Sequence, residues 1–187
     1  IQTQAIQASE KTNPTAGAST PDWAMSSSYV VDQDVSFSAN NMSDETPFLY
    51  TRWANPTTAQ LEQKLAMLEK TETCIAFASG MAASAGVMLN YLSSGDHLII
   101  SNTNYPGTAE FARDTLTRLG ISVTPVDTSD ITNIGQAVQE NTRMIWLECP
   151  SNPLLRLCDI KAISSIARPA NALLVVDSTF ATPIATR

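Results

Sequence analysis

Residues 144–177 contain two apolar runs, Met144-Ile145-Trp146-Leu147-Glu148 and Ala172-Leu173-Leu174-Val175-Val176-Asp177, with a helical pattern around 159–168 between them. Short apolar runs bounded by polar residues read as buried strands, and a helix joining two of them makes the strands parallel. Moving outward, the same alternation continues. Strand-like runs stand at Thr73-Cys74-Ile75-Ala76-Phe77, His97–Ser101 and Ser122–Val126, and helical patterns at 82–91, 108–119 and 132–140. Further upstream, Leu61, Leu65 and Leu68 recur at helical spacing after Asn55-Pro56-Thr57-Thr58, a start suited to capping. The pattern predicts an α/β domain: a mainly parallel sheet with helices on both faces.

Residues 1–46 break the pattern. They are polar, poor in periodicity and too long for an ordinary internal loop. We expect residues 1–56 to form an extended N-terminal arm and residues 57–187 the α/β domain. Trp23, Tyr29, Val30, Val31 and Phe37 predict that part of the arm is buried, with a neighbouring subunit as one surface for it.

With 187 residues the chain is long enough to enclose a core, and its net charge is −7 with scattered Lys and Arg. No basic run favours nucleic acid. No apolar stretch reaches the length of a membrane span, and the start lacks the pattern of a signal peptide. Cys74, Cys149 and Cys158 form no metal-type pair; Cys74 and Cys149 sit in or just after apolar runs. This usage suits reduced thiols in a cytoplasmic protein, with packing as their role. The single histidine, His97, opens a strand and reads as structural, and no metal site is expected.

Parallel sheets of this kind place ligands beyond the carboxyl ends of their strands. The residues that follow the strands are Ser79-Gly80-Met81, Asn104-Tyr105, Ser151-Asn152-Pro153 and Asp177-Ser178-Thr179. Ser79-Gly80-Met81 joins a strand to a helix N-terminus, where free N–H groups and the helix dipole attract an anion; an ordinary strand–Gly–helix turn is the plain alternative. The segment lacks the Gly-Lys-Ser/Thr ending of a P-loop and the Gly-x-Gly-x-x-Gly of a dinucleotide site. No Gly-x-Ser-x-Gly elbow is present. Asp177 closes an apolar run, where a carboxylate needs a partner. A pyridinium nitrogen is one, and a helix cap or salt bridge is another. Tyr105 suits stacking on a flat ring or simple packing. Tyr50 and Arg52, two apart in an extended segment, suit a phosphate grip or a solvated surface pair.

In their order along the chain, these segments resemble the cysteine/methionine-metabolism family of pyridoxal 5'-phosphate (PLP) enzymes. The family includes cystathionine γ-synthase, cystathionine γ- and β-lyases, methionine γ-lyase and O-acetylhomoserine sulfhydrylases. The resemblance runs through Tyr50-Thr51-Arg52, Ser79-Gly80-Met81-Ala82-Ala83, Gly95-Asp96-His97, Tyr105 to Thr108, Glu148-Cys149-Pro150-Ser151-Asn152-Pro153 and Val176-Asp177-Ser178-Thr179-Phe180-Ala181-Thr182-Pro183. It implies the large domain of an aspartate-aminotransferase-like fold. By the same resemblance, Ser79, Gly80 and Met81 hold the cofactor phosphate, and Tyr105 stacks on the ring and assists proton movements. Asp177 pairs with the ring nitrogen, while Asn152 and Thr179 stand near the cofactor's polar edge. Tyr50 and Arg52 complete a site in a neighbouring subunit, so the assembly is a homo-oligomer: a dimer at least, with a tetramer expected. Glu148 matches a recurrent acid of the family to which sequence assigns no role.

The implied activity is α,γ-elimination from a γ-substituted amino acid, giving a 2-oxo acid and ammonia. γ-Replacement on an activated homoserine is the alternative. Three positions depart from the family pattern. Pro106 stands where glycine usually follows the stacking tyrosine, so the loop beside the ring is expected to sit differently. Gly107 stands where methionine γ-lyases carry cysteine, and Ser178 replaces the commoner asparagine. The family's cofactor-binding lysine lies in a Ser-x-x-Lys stretch beyond the aspartate. Lys11, Lys64, Lys70 and Lys161 do not match it. We expect that lysine in a remainder of the polypeptide outside this sequence; an inactive fragment without the lysine is the reading of another class.

Overall fold

The computed structural model describes residues 5–6, 16–31 and 48–185. The chain forms two units, residues 1–76 and 77–187.

In the first unit, helix α1 (Pro56–Glu69) starts on Asn55, whose side chain accepts from the Thr57 amide at 2.8 Å. Pro56 occupies the first helical position, where a missing N–H costs nothing. Asn55 also ties the preceding segments to the helix. Its Nδ2 lies 3.1 Å from the Ala24 carbonyl and 3.1 Å from the Tyr29 hydroxyl, and the Ala24 amide donates to Thr57 Oγ1 at 2.9 Å. Ser28 and Tyr50 form an antiparallel bridge. The apolar residues before α1 are less covered than their chemistry suggests. Tyr29 is half-buried against Phe48, but Trp23 and Val30 are exposed, and Phe37 lies outside the described residues. The Leu61–Leu65–Leu68 stripe is likewise incompletely covered, with Leu61 exposed and no residue of α1 fully buried.

The second unit carries α2 (Gly80–Tyr91), β1 (His97–Ser101), α3 (Pro106–Glu110), β2 (Ser122–Val126), α4 (Ile131–Ala137), β3 (Thr142–Glu148), α5 (Ile160–Ala167) and β4 (Leu173–Asp177). The four strands are all parallel in the order β2-β1-β3-β4. Successive side chains point to opposite faces of a sheet, so the strands feed two cores. Leu98, Ile100, Met144 and Trp146 pack with Met88 of α2, with Leu92 just after it, and with Ala112 and Leu116 beyond α3. Ile99, Ile145 and Leu147 pack with Ile134 of α4 and Ile163 and Ala167 of α5. The sheet is therefore covered on both faces, which explains why its strands read as apolar runs rather than alternating ones.

Two local features differ from expectation. Residues 73–77 form no strand. A strand needs a ladder partner; here the Ala76 amide bonds to Glu62 Oε1 at 2.8 Å, and Ile75 is exposed. Cys74 is accordingly half-buried and outside the sheet, whereas Cys149 is buried. Helix α3 also continues as a π-helix over Phe111–Leu116. Thr108, Ala112 and Leu116 are all buried at four-residue spacing. Among the described residues no helix is long and apolar enough to cross a membrane.

Candidate active site

The chain leaves β1 towards β2 through α3 on one face, and leaves β3 towards β4 through α5 on the other. Between β1 and β3 the connections diverge, and the carboxyl ends of these two strands open a crevice. A cavity of about 310 Å³ lies there. Ser79, Gly80, Met81, Tyr105, Asn152, Asp177 and Thr179 all line it, so seven residues spread over about a hundred positions of sequence meet in one place.

Ser79 caps α2, its Oγ accepting from the Ala82 amide at 3.1 Å. Within an α-helix the first amides have no acceptor of the helix's own, so those of Gly80 and Met81 remain available to an anion. A Cβ built on Gly80 meets nothing within 4 Å; the glycine leaves open space beside those donors.

Tyr105 is the residue before α3, and its ring is about half exposed. Pro106 follows it at the first helical position, where proline's fixed φ suits the helix. The Tyr105 carbonyl takes the amides of Thr108 at 3.0 Å and Ala109 at 3.1 Å. The departure at Pro106 thus starts a helix immediately after the tyrosine. The ring lies back over Gly107: a Cβ there would stand 2.6 Å from Tyr105 Cε1 and 3.1 Å from Met81 Sδ.

Asp177 ends β4. Its Oδ1 accepts from Thr179 Oγ1 at 2.5 Å and from the Thr179 amide at 3.1 Å, while among the described residues Oδ2 takes no hydrogen bond. Glu148, at the end of β3 and in register with Asp177, also lines the cavity. It is buried, and its oxygens take the amides of Tyr105 and Asn152, each at 2.6 Å. Burial pushes its carboxyl above the usual range; the two amides pull against that shift, and the nearby Asp177 adds to it. Two carboxylates side by side make this part of the cavity attractive to a cation.

Asn152 sits in a turn where the Ser151 amide donates to the Arg156 carbonyl at 3.0 Å and the Arg156 amide donates to Ser151 Oγ at 3.2 Å, and among the described residues its side-chain amide makes no hydrogen bond. Ser84, Thr108, Pro150 and Phe180 also border the cavity, and sequence reading did not single them out as site residues. Ser84 lies one helical turn after Gly80, a spacing that could have pointed to it. Among the described residues no lysine lines the cavity.

Tyr50 and Arg52 lie in the first unit and meet each other. Arg52 Nη2 donates to the Tyr50 hydroxyl at 3.0 Å, and the guanidinium lies 5.1 Å from the Tyr50 ring centre.

The family model for the Cys/Met metabolism PLP-dependent enzymes matches residues 2–187. The chain belongs to this family. Among the curated relatives of this PLP-dependent family, an L-methionine gamma-lyase of Fusobacterium nucleatum subsp. nucleatum is 44% identical over 141 residues, covering 75% of this chain and 36% of the relative. A cystathionine gamma-lyase of Bacillus subtilis is 44% identical over 138 residues, covering 74% of this chain and 36% of the relative. The crystal structure of cystathionine gamma-lyase from Lactobacillus plantarum complexed with L-serine superposes with a TM-score of 0.85 at 35% identity, over 97% of this chain and 45% of that one. The α/β parallel-sheet reading and the aminotransferase-like fold are confirmed by this likeness. The chain spans between about a third and a half of the length of these relatives.

Proposed function

We propose that the protein is a PLP-dependent lyase that eliminates the γ-substituent of a sulfur-containing or related γ-substituted amino acid, releasing a 2-oxo acid and ammonia. One observation carries the reading: a single cavity joins the free amides of Gly80 and Met81, the ring of Tyr105 and the unpartnered oxygen of Asp177. That donor set fits a flat pyridine ring bearing a phosphate. The helix N-terminus takes the anion, the open space at Gly80 admits it, and the carboxylate takes the ring cation. Bound there, the cofactor supplies an electron-withdrawing ring that takes up the charge left at Cα when its proton is lost.

The chain's own residues then have separate tasks. The amides of Gly80 and Met81 hold the phosphate, and Ser79 adds a hydroxyl whose proton is not used in capping. Asp177 keeps a proton on the ring nitrogen through Oδ2, with Thr179 fixing its other oxygen. Tyr105 covers the ring and moves protons at the substrate. Asn152, with its free side-chain amide, serves the cofactor's polar edge together with Thr179. Tyr50 and Arg52, already paired, complete the phosphate site of a neighbouring subunit in a homodimer or homotetramer, with residues 1–56 as the arm that reaches across and 57–187 as the cofactor domain. The three free cysteines suit the cytoplasm.

γ-Replacement is the second reading; Gly107, where the resemblance gives methionine γ-lyases a cysteine, weighs against a methionine γ-lyase in particular, and a Cβ there would crowd Tyr105 Cε1 at 2.6 Å. Protein from the complete reading frame separates the two. With cofactor held, seen as a yellow band that borohydride removes, formation of 2-oxo acid and ammonia without added thiol supports elimination. Turnover only of an O-acylhomoserine together with a thiol overturns it in favour of replacement. A colourless protein, even with PLP added, overturns both.

A further inference from the structure

We infer that Glu148 is a positioning residue of this site, whose two carboxylate oxygens clip together the segment carrying Tyr105 and the segment carrying Asn152. The inference rests on the proposed cofactor site for its functional meaning, but its geometry stands without it. Glu148 is only 5% exposed and ends β3, next to the divergence between β1 and β3. Oε2 accepts the Tyr105 amide, 43 positions away in sequence, and Oε1 accepts the Asn152 amide, 4 positions away, both at 2.6 Å.

Each amide needs such an acceptor. Tyr105 precedes α3, so the helix uses its carbonyl and not its N–H. Asn152 lies in the turn after β3, where no strand continues to receive its N–H. A carboxylate is the acceptor that can serve both, one oxygen each, and bonds to an ionised acceptor are shorter and stronger than neutral ones. Both oxygens hold backbone amides, so Glu148 borders the cavity as an anchor of the two segments. Its place beside Asp177 couples the clip to the ligand: a cation bound at Asp177 relieves the repulsion between the two carboxylates, so occupancy firms the hold on both segments.

The test uses protein from the complete reading frame, with Glu148→Gln and Glu148→Asp as variants and residue-resolved amide hydrogen exchange as the direct readout. A glutamine keeps one acceptor oxygen, and an aspartate is too short to reach both segments. Exchange at Tyr105 or Asn152 is expected to accelerate about tenfold or more, while the strand amides of Ile99 and Ile145 stay slow. The cofactor dissociation constant is expected to rise about tenfold, with kcat falling more than KM rises. Unchanged exchange at both amides in a folded variant overturns the inference. If neither variant folds, the wild-type decides: rapid exchange at Tyr105 and Asn152 overturns the clip, and strand-like protection supports it. A wild-type protein that binds no PLP but keeps the exchange contrast supports the clip and overturns the cofactor reading.

Discussion

Gly107 is held glycine by the Tyr105 ring. A methyl group at 107 would stand 2.6 Å from Cε1, a distance no real contact tolerates, so the ring would have to swing away. The backbone itself would accept alanine, since position 107 is helical and the change gains at most about 1 kcal/mol of helix propensity. Gly107→Ala should therefore leave the melting temperature within a few degrees and still lower turnover about tenfold; calorimetry and steady-state kinetics on the complete protein check both halves. Asp177→Ala should fold as well, because the residue is half-buried and its bonds are local to Thr179. We expect roughly 10²–10³-fold slower turnover with weaker cofactor retention. Near-normal turnover would remove Asp177 from the mechanism. The two residues differ in legibility: Asp177 announced itself by closing an apolar run, while the demand at Gly107 exists only once the tyrosine ring is in place.

The strands show what an element owes to its sequence and what to its partners. β1, β2, β3 and β4 lie where their apolar runs lie, since each run has a neighbour to share a ladder with. Residues 73–77 are a comparable apolar run, but among the described residues they have no ladder partner and form no strand. The π-turn after α3 was equally illegible: no residue type marks an i→i+5 turn, although Ala112 and Leu116 within it are buried. His97 shows packing giving meaning to a lone residue. It is fully buried at the start of β1, with Nδ1 2.8 Å from Thr142 Oγ1 on β3 and Nε2 2.8 Å from Thr124 Oγ1 on β2, linking three strands through side chains. Hydroxyls both donate and accept, so they satisfy a neutral ring. Burial lowers its pKa below 6.5. Below that pH the unfolded chain takes up a proton that the folded one resists. The stability His97 contributes is thus present above pH 6.5 and is lost as pH falls through the folded pKa, at up to about 1.4 kcal/mol per pH unit. Thermal melts between pH 7.5 and 5 should show this decline, and His97→Gln should flatten it.

Across the assembled protein, the proposed sharing of sites makes a prediction that no single chain can meet. If Arg52 serves the neighbour's cofactor and Asp177 its own, subunits carrying Arg52→Ala and subunits carrying Asp177→Ala are each impaired alone. Mixed and reassembled at equal ratio, they should regain about a quarter of wild-type sites, because each hybrid pair holds one intact site. No recovery after proven mixing would put both residues in the same subunit's site. The apolar residues left exposed on the arm, Trp23 and Val30, suit a surface that such an assembly would cover. Sequence alone was enough for the α/β class, the alternation of elements and the order of the cavity residues. Apolar runs of five to seven residues between polar turns, alternating with helical patterns, suit buried parallel strands, and ligands gather where such strands end. Folding added the strand order, the clip at Glu148, the crowding at Gly107 and the loss of a strand at 73–77. Each of these depends on atoms brought together from distant parts of the chain, and no local pattern records such a meeting.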